Sequence, residues 1–559
     1  MSRFGCPHAA CPGCALIDVP IEEQRATKER RLRDALHAYP ELEHVRVEAC
    51  AGVEPVTGYR TRAKWAVDAQ GDGDAPIRIG LYRDGASHVV EDIPGCVVAA
   101  PAIVEVGAAL RHLSLDASAR AVLSAVDLRE VQTDAGARVF VTLVLTDRAA
   151  LPAATAAARR LLSASPRVVG VFANLRDASA PQMLGPSTVL LAGAESALDR
   201  VGSARVFATP GSFVQAHRGG AALLEERLVA FVSGLGIHAP RVLELFAGSG
   251  AFGLALAARG ARVTAVESFA PAARSIGDAA ARAGLPVEVA RADAEAFLAR
   301  APEAFDLIVV DPPRRGLTRA LRHAIAEREP RAIAYVSCDP DTLARDLAHL
   351  ATLGYRAESA TPVDMIPLTH HVEAITLLSR GVPAPPPPPK RPGDVVVFDA
   401  DVSGARVDDL DAVRARAAVE VELTCFVTGV ARAKGKILAW SGGVATYGRT
   451  GVHSGHSELA IRVTGTAPVR LGPILDRLAK FGHAPLGDAK RGTAAGLRHA
   501  FESLGLDRAY VHVLSVTVTK DGADPIRTES PLAGDLVSVR RRLVGDDRRG
   551  VPTLEDASR

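Results

Sequence analysis

The segment "AYVSCDPDTLARD", residues 334–346, carries a cysteine at the end of an apolar run. Cys338 closes a predicted strand, and "DPDTLARDLAHL" starts a helix with Asp339 as its cap and Pro340 at an early helical position. A thiol beside a helix N-terminus has its thiolate favoured by the helix dipole. Further on, "TPVDMIPLTHHVEAITLLSR" sets Glu373 immediately before another predicted strand. One sheet edge would then hold a nucleophile and a carboxylate base. Upstream, "RVLELFAGSGAFGLALA" places Gly248, Ser249 and Gly250 between a strand and an apolar helix, where small residues let a ligand approach the positive helix end. Glu267 ends the next strand about 20 residues on, a position suited to accepting hydrogen bonds from ribose hydroxyls. Asp293 and Asp311 stand near the carboxyl ends of successive strands, the edge at which open α/β sheets bind ligands. This combination fits S-adenosylmethionine better than a dinucleotide, for which "GSGAFG" is an incomplete phosphate cradle.

These residues need a scaffold, and residues 206–380 supply alternating signals for it: "RVLELF", "RVTAVE", "PVEVAR", "DLIVVDPP", "AIAYVSC" and "AITLLSR" separated by helical segments. Such alternation predicts an α/β, doubly wound, mostly parallel sheet. Residues 52–205 read as a β-rich central domain, with "RVFVTLVLT" and "VVGVFANL" as its strongest strands and an alanine-rich helix near 152–164. Residues 1–51 form a cysteine-bearing and helical start, whose basic positions Arg25, Lys28, Arg30, Arg31 and Arg33 read as a solvated helix face. The proline-rich stretch 381–394 reads as an extended linker. Beyond it, residues 395–559 suggest an α+β module in which β-like runs frame one helical segment.

At 559 residues the chain exceeds one ordinary domain, and three or four are expected. The 66 basic and 64 acidic residues nearly cancel, so overall charge names neither a nucleic acid nor an acidic membrane as partner. No signal-peptide core and no apolar run of roughly 18 residues is present, which predicts a cytoplasmic protein without membrane contact. In a reducing compartment, seven cysteines sort into clustered metal ligands and isolated packed or catalytic thiols. Cys6, Cys11 and Cys14 cluster, whereas Cys50 and Cys425 read as packed thiols.

The ordered segments "SFVQAH", "LELFAGSGAFGLALA", "VDPPRRGL", "YVSCDPDTLARDL" and "DMIPLTHHVEAITLLSR" resemble the S-adenosylmethionine-dependent RNA uracil-C5 methyltransferase family over about the first 380 residues. The resemblance implies a Rossmann-like methyltransferase domain in which Cys338 adds to uracil C6, making C5 nucleophilic, and Glu373 removes the C5 proton after methyl transfer. It places Gln215, Phe246, Glu267, Asp293 and Asp311 on cofactor-contacting positions, and Ala251 where some members carry asparagine. With Cys96 of "DIPGCVVAAPAI", the cysteine cluster resembles the four-cysteine [4Fe-4S] site of the ribosomal-RNA branch, although a thiolate tetrad suits zinc equally well. No room is left ahead of the cysteines for the RNA-binding β-barrel of many ribosomal members. The chain therefore resembles the short 23S ribosomal RNA branch, with transfer RNA as the second choice of substrate. Arg60, Arg62, Lys64, Arg314 and Arg315 are candidate phosphate contacts.

Residues 395–545 resemble the later part of a pseudouridine synthase through "FDADVSGARV", "VTGTAPVRLGPILDRLAKFGHAPLGD", "RAYVHVLSVTV" and "SPLAGDL". Asp399 aligns with that family's catalytic aspartate, but Leu423 and Leu475 replace an active-site tyrosine and the arginine partner. The resemblance implies a degenerate, incomplete module that makes no pseudouridine, with Lys490, Arg491, Arg540, Arg541 and Arg542 expected to meet RNA phosphates. Its rivals are a bifunctional enzyme and an RNA-binding protein that has lost catalysis.

Overall fold

The computed structural model describes residues 4–381 apart from 70–75, 84–85, 179–181 and 302–303, the short strands Val397–Phe398 and Ser403–Gly404, and most of 417–544. Residues 382–394 of the proline-rich linker and Asp399 lie outside the described residues.

Its central element is an eight-stranded sheet. Across it the order is Arg46–Val47, Tyr355–Val363, Glu373–Arg380, Ala332–Ser337, Leu307–Val310, Arg241–Leu245, Arg262–Val266 and Val287–Ala290. Leu307–Val310 and Ala332–Ser337 are buried along their whole length, which is why they read as unbroken apolar runs: a parallel sheet covered on both faces has no solvent side to alternate toward. Helices Ile21–His37, Arg319–Glu327 and Pro340–Thr352 cover one face through Leu32, Leu36, Leu321, Leu343 and Leu347. Helices Arg218–Gly234 and Ala251–Ala257 cover the other through Leu224, Leu228, Phe252 and Leu256. From Arg241–Leu245 the chain winds outward to Val287–Ala290, then crosses back to Leu307–Val310 on the other side. That reversal opens a crevice at the carboxyl ends of these two strands.

The segment before residue 52 joins this sheet. Arg46–Val47 pairs in parallel with Ser359 and Ala360, and the preceding helix packs into the same core. The helix's basic face is accordingly only partly solvated: Arg30 is exposed, but Lys28 is buried and bonds the buried Asp364 and, at 2.9 Å, the Ile366 carbonyl. Arg25 also reaches Asp364, at 3.6 Å, while Arg31 and Arg33 contact Asp341 and Glu29. Periodicity reveals where a charge lies on its own helix but not an acid 336 residues away.

A seven-stranded sheet built from Arg62–Asp68 to Ser187–Gly193 forms the β-rich region, with Pro101–Arg111 and Leu151–Ala164 packed against it. The C-terminal module has its own sheet, centred on Ala418–Thr428 between His456–Thr466 and Val511–Thr519. Among its described residues three helices accompany it, Gly472–Lys480, Ala494–Leu504 and Gly534–Val544, where the sequence pattern gives one. Leu423 and Leu475 sit in its apolar core. The cations expected to face RNA are mostly engaged internally: Arg491 with Asp476 and Asp488, Arg540 with Glu458, Arg541 with Asp341 and Arg542 with Asp339. Among the described residues, no helix is long and apolar enough to cross a membrane.

Candidate active site

Two antiparallel pairings bring the candidate nucleophile and base together. Glu373–Arg380 runs between Ala332–Ser337 and Tyr355–Val363, with Ser337 opposite Ala374 and Val363 opposite Glu373. Extending the first register by one residue sets Cys338 across from Glu373, a spacing of about 4.5–5.5 Å between Cβ atoms in a regular sheet. Asp339 then caps helix Pro340–Thr352, its Oδ1 accepting from the Thr342 amide at 3.0 Å. The Glu373 side chain is partly exposed, yet its Oε2 is buried without a hydrogen-bond partner among the described residues.

The turn that flanks this pair is fixed by Asp346, which is fully buried. Its carboxylate accepts from the Leu317 amide at 2.7 Å, from Tyr335 Oη at 2.6 Å and from Arg322 Nη1 at 2.6 Å. Sequence reasoning did not single out Asp346, whose only signal is its place in "TLARD" next to buried positions. A Cβ at Gly316, where φ is +70°, would stand 2.5 Å from Asp346 Oδ2 and 2.8 Å from an Arg345 nitrogen. This turn and helix Pro340–Thr352 can therefore close together only around a glycine.

On the far side of the crevice, Gly248 and Gly250 have φ of 56° and 71°, in the left-handed region, and a Cβ on Gly250 would lie 2.9 Å from Ile276. Phe246 shares that region with φ of 59°. Glu267 holds the turn through Oε2, which accepts from the Gly248 amide at 2.8 Å, while Oε1 accepts from the Phe269 amide at 2.7 Å. Asp293 caps helix Ala294–Leu298 by accepting from the Glu295 amide at 2.9 Å. Asp311 accepts a 3.0 Å bond from Gln215 Nε2.

The electrostatics of the crevice are those of crowded acids. Burial pushes Asp311 up to about 7 against the bond from Gln215. Burial, then Asp311, raises Glu373 well above the carboxylate range, opposed by Arg314. Glu244, buried within the Arg241–Leu245 strand, rises to about 8 for the same first reason. Cys338 is pushed up to about 12 by burial, followed by Glu373 and Asp311. The helix dipole expected to favour the thiolate is thus outweighed in the free protein by desolvation and facing carboxylates. Arg314 offsets these acids in part, and a sulfonium would add further positive charge. The tight glycine turn and the acid-lined crevice together fit S-adenosylmethionine.

Next to this crevice lies a cavity of about 830 Å³ lined by Arg60, Lys64, Phe213, Arg314 and His371, together with Cys11 and Cys14. Arg314 Nη2 and His371 Nδ1 are 3.1 Å apart, and burial followed by Arg314 holds His371 below its usual range, so the imidazole accepts this bond. Arg62 is instead committed to Asp127 and the Ser212 carbonyl, and Arg315 lies 5.8 Å from the Phe501 ring centroid. Phe213, about half exposed, and His371 escaped the sequence reading because nothing in "SFVQAH" or "THHVE" distinguishes a cavity wall from a loop.

All four expected cysteines, Cys6, Cys11, Cys14 and Cys96, line a further cavity of about 640 Å³. Burial raises Cys14 to about 12, and the other three thiols add to the rise. Even so, among the described residues no three His, Cys, Asp or Glu side chains converge as a metal-holding group. Cys50 is half-buried and Cys425 buried.

A reversed α/β sheet with a glycine turn and acidic strand ends around one crevice defines an S-adenosylmethionine-dependent methyltransferase. Residues 211–381 match the family model for tRNA (uracil-5-)-methyltransferases. Over 381 residues the chain is 32% identical to the 23S rRNA (uracil(1939)-C(5))-methyltransferase RlmD of Chromohalobacter salexigens, covering 67% of this chain and 76% of that protein. It is 30% identical over 380 residues to the 23S rRNA (uracil(747)-C(5))-methyltransferase RlmC of an Enterobacter species, covering 66% and 97% respectively. Among solved structures, the tRNA (uracil-54, C5)-methyltransferase of Pyrococcus abyssi, in complex with S-adenosyl-L-homocysteine, covers 66% of this chain and 86% of its own, with a TM-score of 0.49 and 23% identity. The chain belongs to the RNA uracil-C5 methyltransferase family, and it is an S-adenosylmethionine-dependent enzyme.

A cation entering the crevice favours ionised Asp311, which in the free protein is largely neutral below about pH 7. S-adenosylmethionine is therefore expected to bind several-fold more tightly at about pH 8 than at about pH 6, with affinity levelling above the transition. S-adenosylhomocysteine, whose sulfur is neutral, should show a shallower dependence, and Asp311→Asn should flatten the difference. Titration calorimetry across this range checks it; equal slopes for both ligands would contradict the assignment.

Proposed function

We propose that this methyltransferase acts on a uridine of 23S ribosomal RNA through a covalent bond between Cys338 Sγ and uracil C6. The observation that carries the reading is the antiparallel pairing that ends with Ser337 opposite Ala374, beside Cys338 and Glu373, whose buried Oε2 has no hydrogen-bond partner among the described residues. Uracil C5 is a weak nucleophile until a thiolate adds at C6 and gives the ring enolate character. S-adenosylmethionine supplies the electrophilic methyl group when bound. After transfer, C5 carries both a methyl group and a proton; Glu373 takes that proton, the C5–C6 double bond re-forms, and the thiolate leaves. Glu373 suits the task because burial raises its basicity above that of an ordinary carboxylate.

Gln215, Phe246, Glu267 and Asp311 are the residues proposed to hold S-adenosylmethionine. Asp293, whose carboxylate caps a helix, would support the cofactor loop from there. A uracil in folded RNA must be extruded to reach Cys338. The neighbouring cavity, with Arg60, Lys64 and Arg314 for phosphates and Phe213 for stacking, is the proposed entry. The choice of 23S RNA follows the relatives that match about two thirds of this chain. An RNA substrate of this kind also accords with a cytoplasmic location. The C-terminal module is read as pseudouridine-synthase-like but inactive, since Leu423 and Leu475 are core residues.

In a strain lacking this protein, wild-type chain is expected to restore 5-methyluridine at one position of 23S RNA, with pseudouridine unchanged throughout. Cys338→Ala should restore none while still binding S-adenosylmethionine. Methyl groups made by the alanine variant would overturn the mechanism, and a methylated site confined to transfer RNA would overturn the substrate.

Cys6, Cys11, Cys14 and Cys96 are proposed to hold a [4Fe-4S] cluster, whose thiolate chemistry fits four cysteines around one cavity. Methyl transfer needs no electron, so these residues would tie the N-terminal segment to the RNA-facing cavity that Cys11 and Cys14 also line. Protein purified without oxygen is expected to be brown and to contain about four irons per chain. Stoichiometric zinc without iron would contradict the assignment.

A further inference from the structure

Helix Pro340–Thr352 begins with two acids, Asp339 at the cap and Asp341 in the first turn. Carboxylates stabilise a helix start. Asp339, however, adjoins Cys338, where an uncompensated negative charge opposes a thiolate. Cations from both ends of the chain converge on this turn. Arg31, from the N-terminal helix, contacts Asp341. From the last helix, Gly534–Val544, Arg541 Nη1 reaches Asp341 Oδ1 at 3.2 Å and Arg542 Nη2 donates to Asp339 Oδ1 at 2.6 Å.

The last helix is anchored well enough to hold its arginines in place. Leu536 and Val539 lie in an apolar cluster with Phe426 and Tyr510, and Arg540 Nε donates to the buried Glu458 at 2.8 Å. The helix start sits tightly on the methyltransferase side: a Cβ at Gly534 would stand 2.7 Å from the Tyr39 ring and 2.8 Å from the Ala38 Cβ. The stacking of Arg315 near Phe501 is a further contact between the two parts. With Asp339 and Arg542 about four-fifths buried, solvent screens their ion pair only partly.

We propose that Arg542 is a positioning residue for methyl transfer: through Asp339 it lets the C-terminal module fix the turn carrying Cys338 and offset the carboxylate beside it. The inference rests on Cys338 being the nucleophile. The groups facing that thiol are Glu373 and Asp311, which oppose its ionisation, Arg314, which favours it, and Asp339 on its own turn. Without Arg542, the charge of Asp339 is offset less and acts more strongly on Cys338, so the thiolate forms only at higher pH. The residue lies well beyond 381, where the match to the family model ends.

The test uses the full chain with Arg542→Gln, which keeps the stem, Arg542→Lys, which keeps the charge, and Asp339→Asn, which can still cap the helix. Methylation rates at saturating S-adenosylmethionine are followed against pH, alongside alkylation of Cys338 by iodoacetamide. Arg542→Gln is expected to lower kcat about three- to tenfold near neutral pH, leave KM within about twofold, and move both profiles to higher pH. Lysine should restore them. In the Asp339→Asn background, Arg542→Gln should add nothing. A glutamine variant with wild-type kcat and unmoved profiles would overturn the proposal. So would a loss that lysine does not restore or that persists without Asp339. Methylation by Cys338→Ala would instead reject the nucleophile reading on which it rests.

Discussion

Glu373–Arg380 runs antiparallel to both neighbours in a sheet whose other pairings are parallel, and the geometry of the site follows from that insertion. Because side chains alternate with a period of two, a slip of one residue would turn Glu373 to the opposite face of the sheet. The register is held by packing. Ala374 and Leu378 belong to the core on one face, while Ile375 belongs to the core on the other. The same strand binds the edge strand Tyr355–Val363, which in turn pairs with Arg46–Val47. The first fifty residues are thereby tied to the strand that carries the candidate base.

Burial is what makes the crevice reactive and also what makes it costly. Asp311, Glu373 and Glu244 all have raised carboxyl pKa values with desolvation as the first cause, and Cys338 follows the same rule. A protein tolerates such crowding where it serves a ligand of opposite charge. In the proposed reading, the sulfonium of S-adenosylmethionine answers the acids in the crevice, and Arg314 and Arg542 answer those near the thiol. Elsewhere the chain pairs buried charges internally, as Lys28 with Asp364 and Arg322 with Asp346, where removing one partner would cost about 3–5 kcal/mol.

Much of this was legible in the sequence. Strands buried on both faces announce themselves as apolar runs, so "DLIVV" and "AIAYVS" emerged directly. The glycine turn, Glu267, Asp311, Cys338 and Glu373 were each found at a strand end, and the fold brings those ends to one edge. What stayed hidden depends on partners remote in the chain. Lys28 looked like surface until Asp364 was seen beneath it. Arg541 and Arg542 looked like an RNA patch but face Asp341 and Asp339, some 200 residues earlier. The thiol was expected to be acidic from its helix start, whereas desolvation is a property of the packed whole. One helical segment was read in the C-terminal module, whereas its described residues hold three helices, because short amphipathic segments leave little periodicity to read.

The most direct measurement of the central claim is the intact mass of the protein after incubation with S-adenosylmethionine and substrate RNA carrying 5-fluorouridine. Fluorine cannot leave C5 as a proton does, so the step assigned to Glu373 is blocked and the thiolate cannot be released. The account predicts a stable protein–RNA adduct, formed only when S-adenosylmethionine is present, with the RNA attached at Cys338 and the modified ring already methylated. An absence of adduct under conditions where ordinary RNA is methylated, or attachment at another residue, would contradict it.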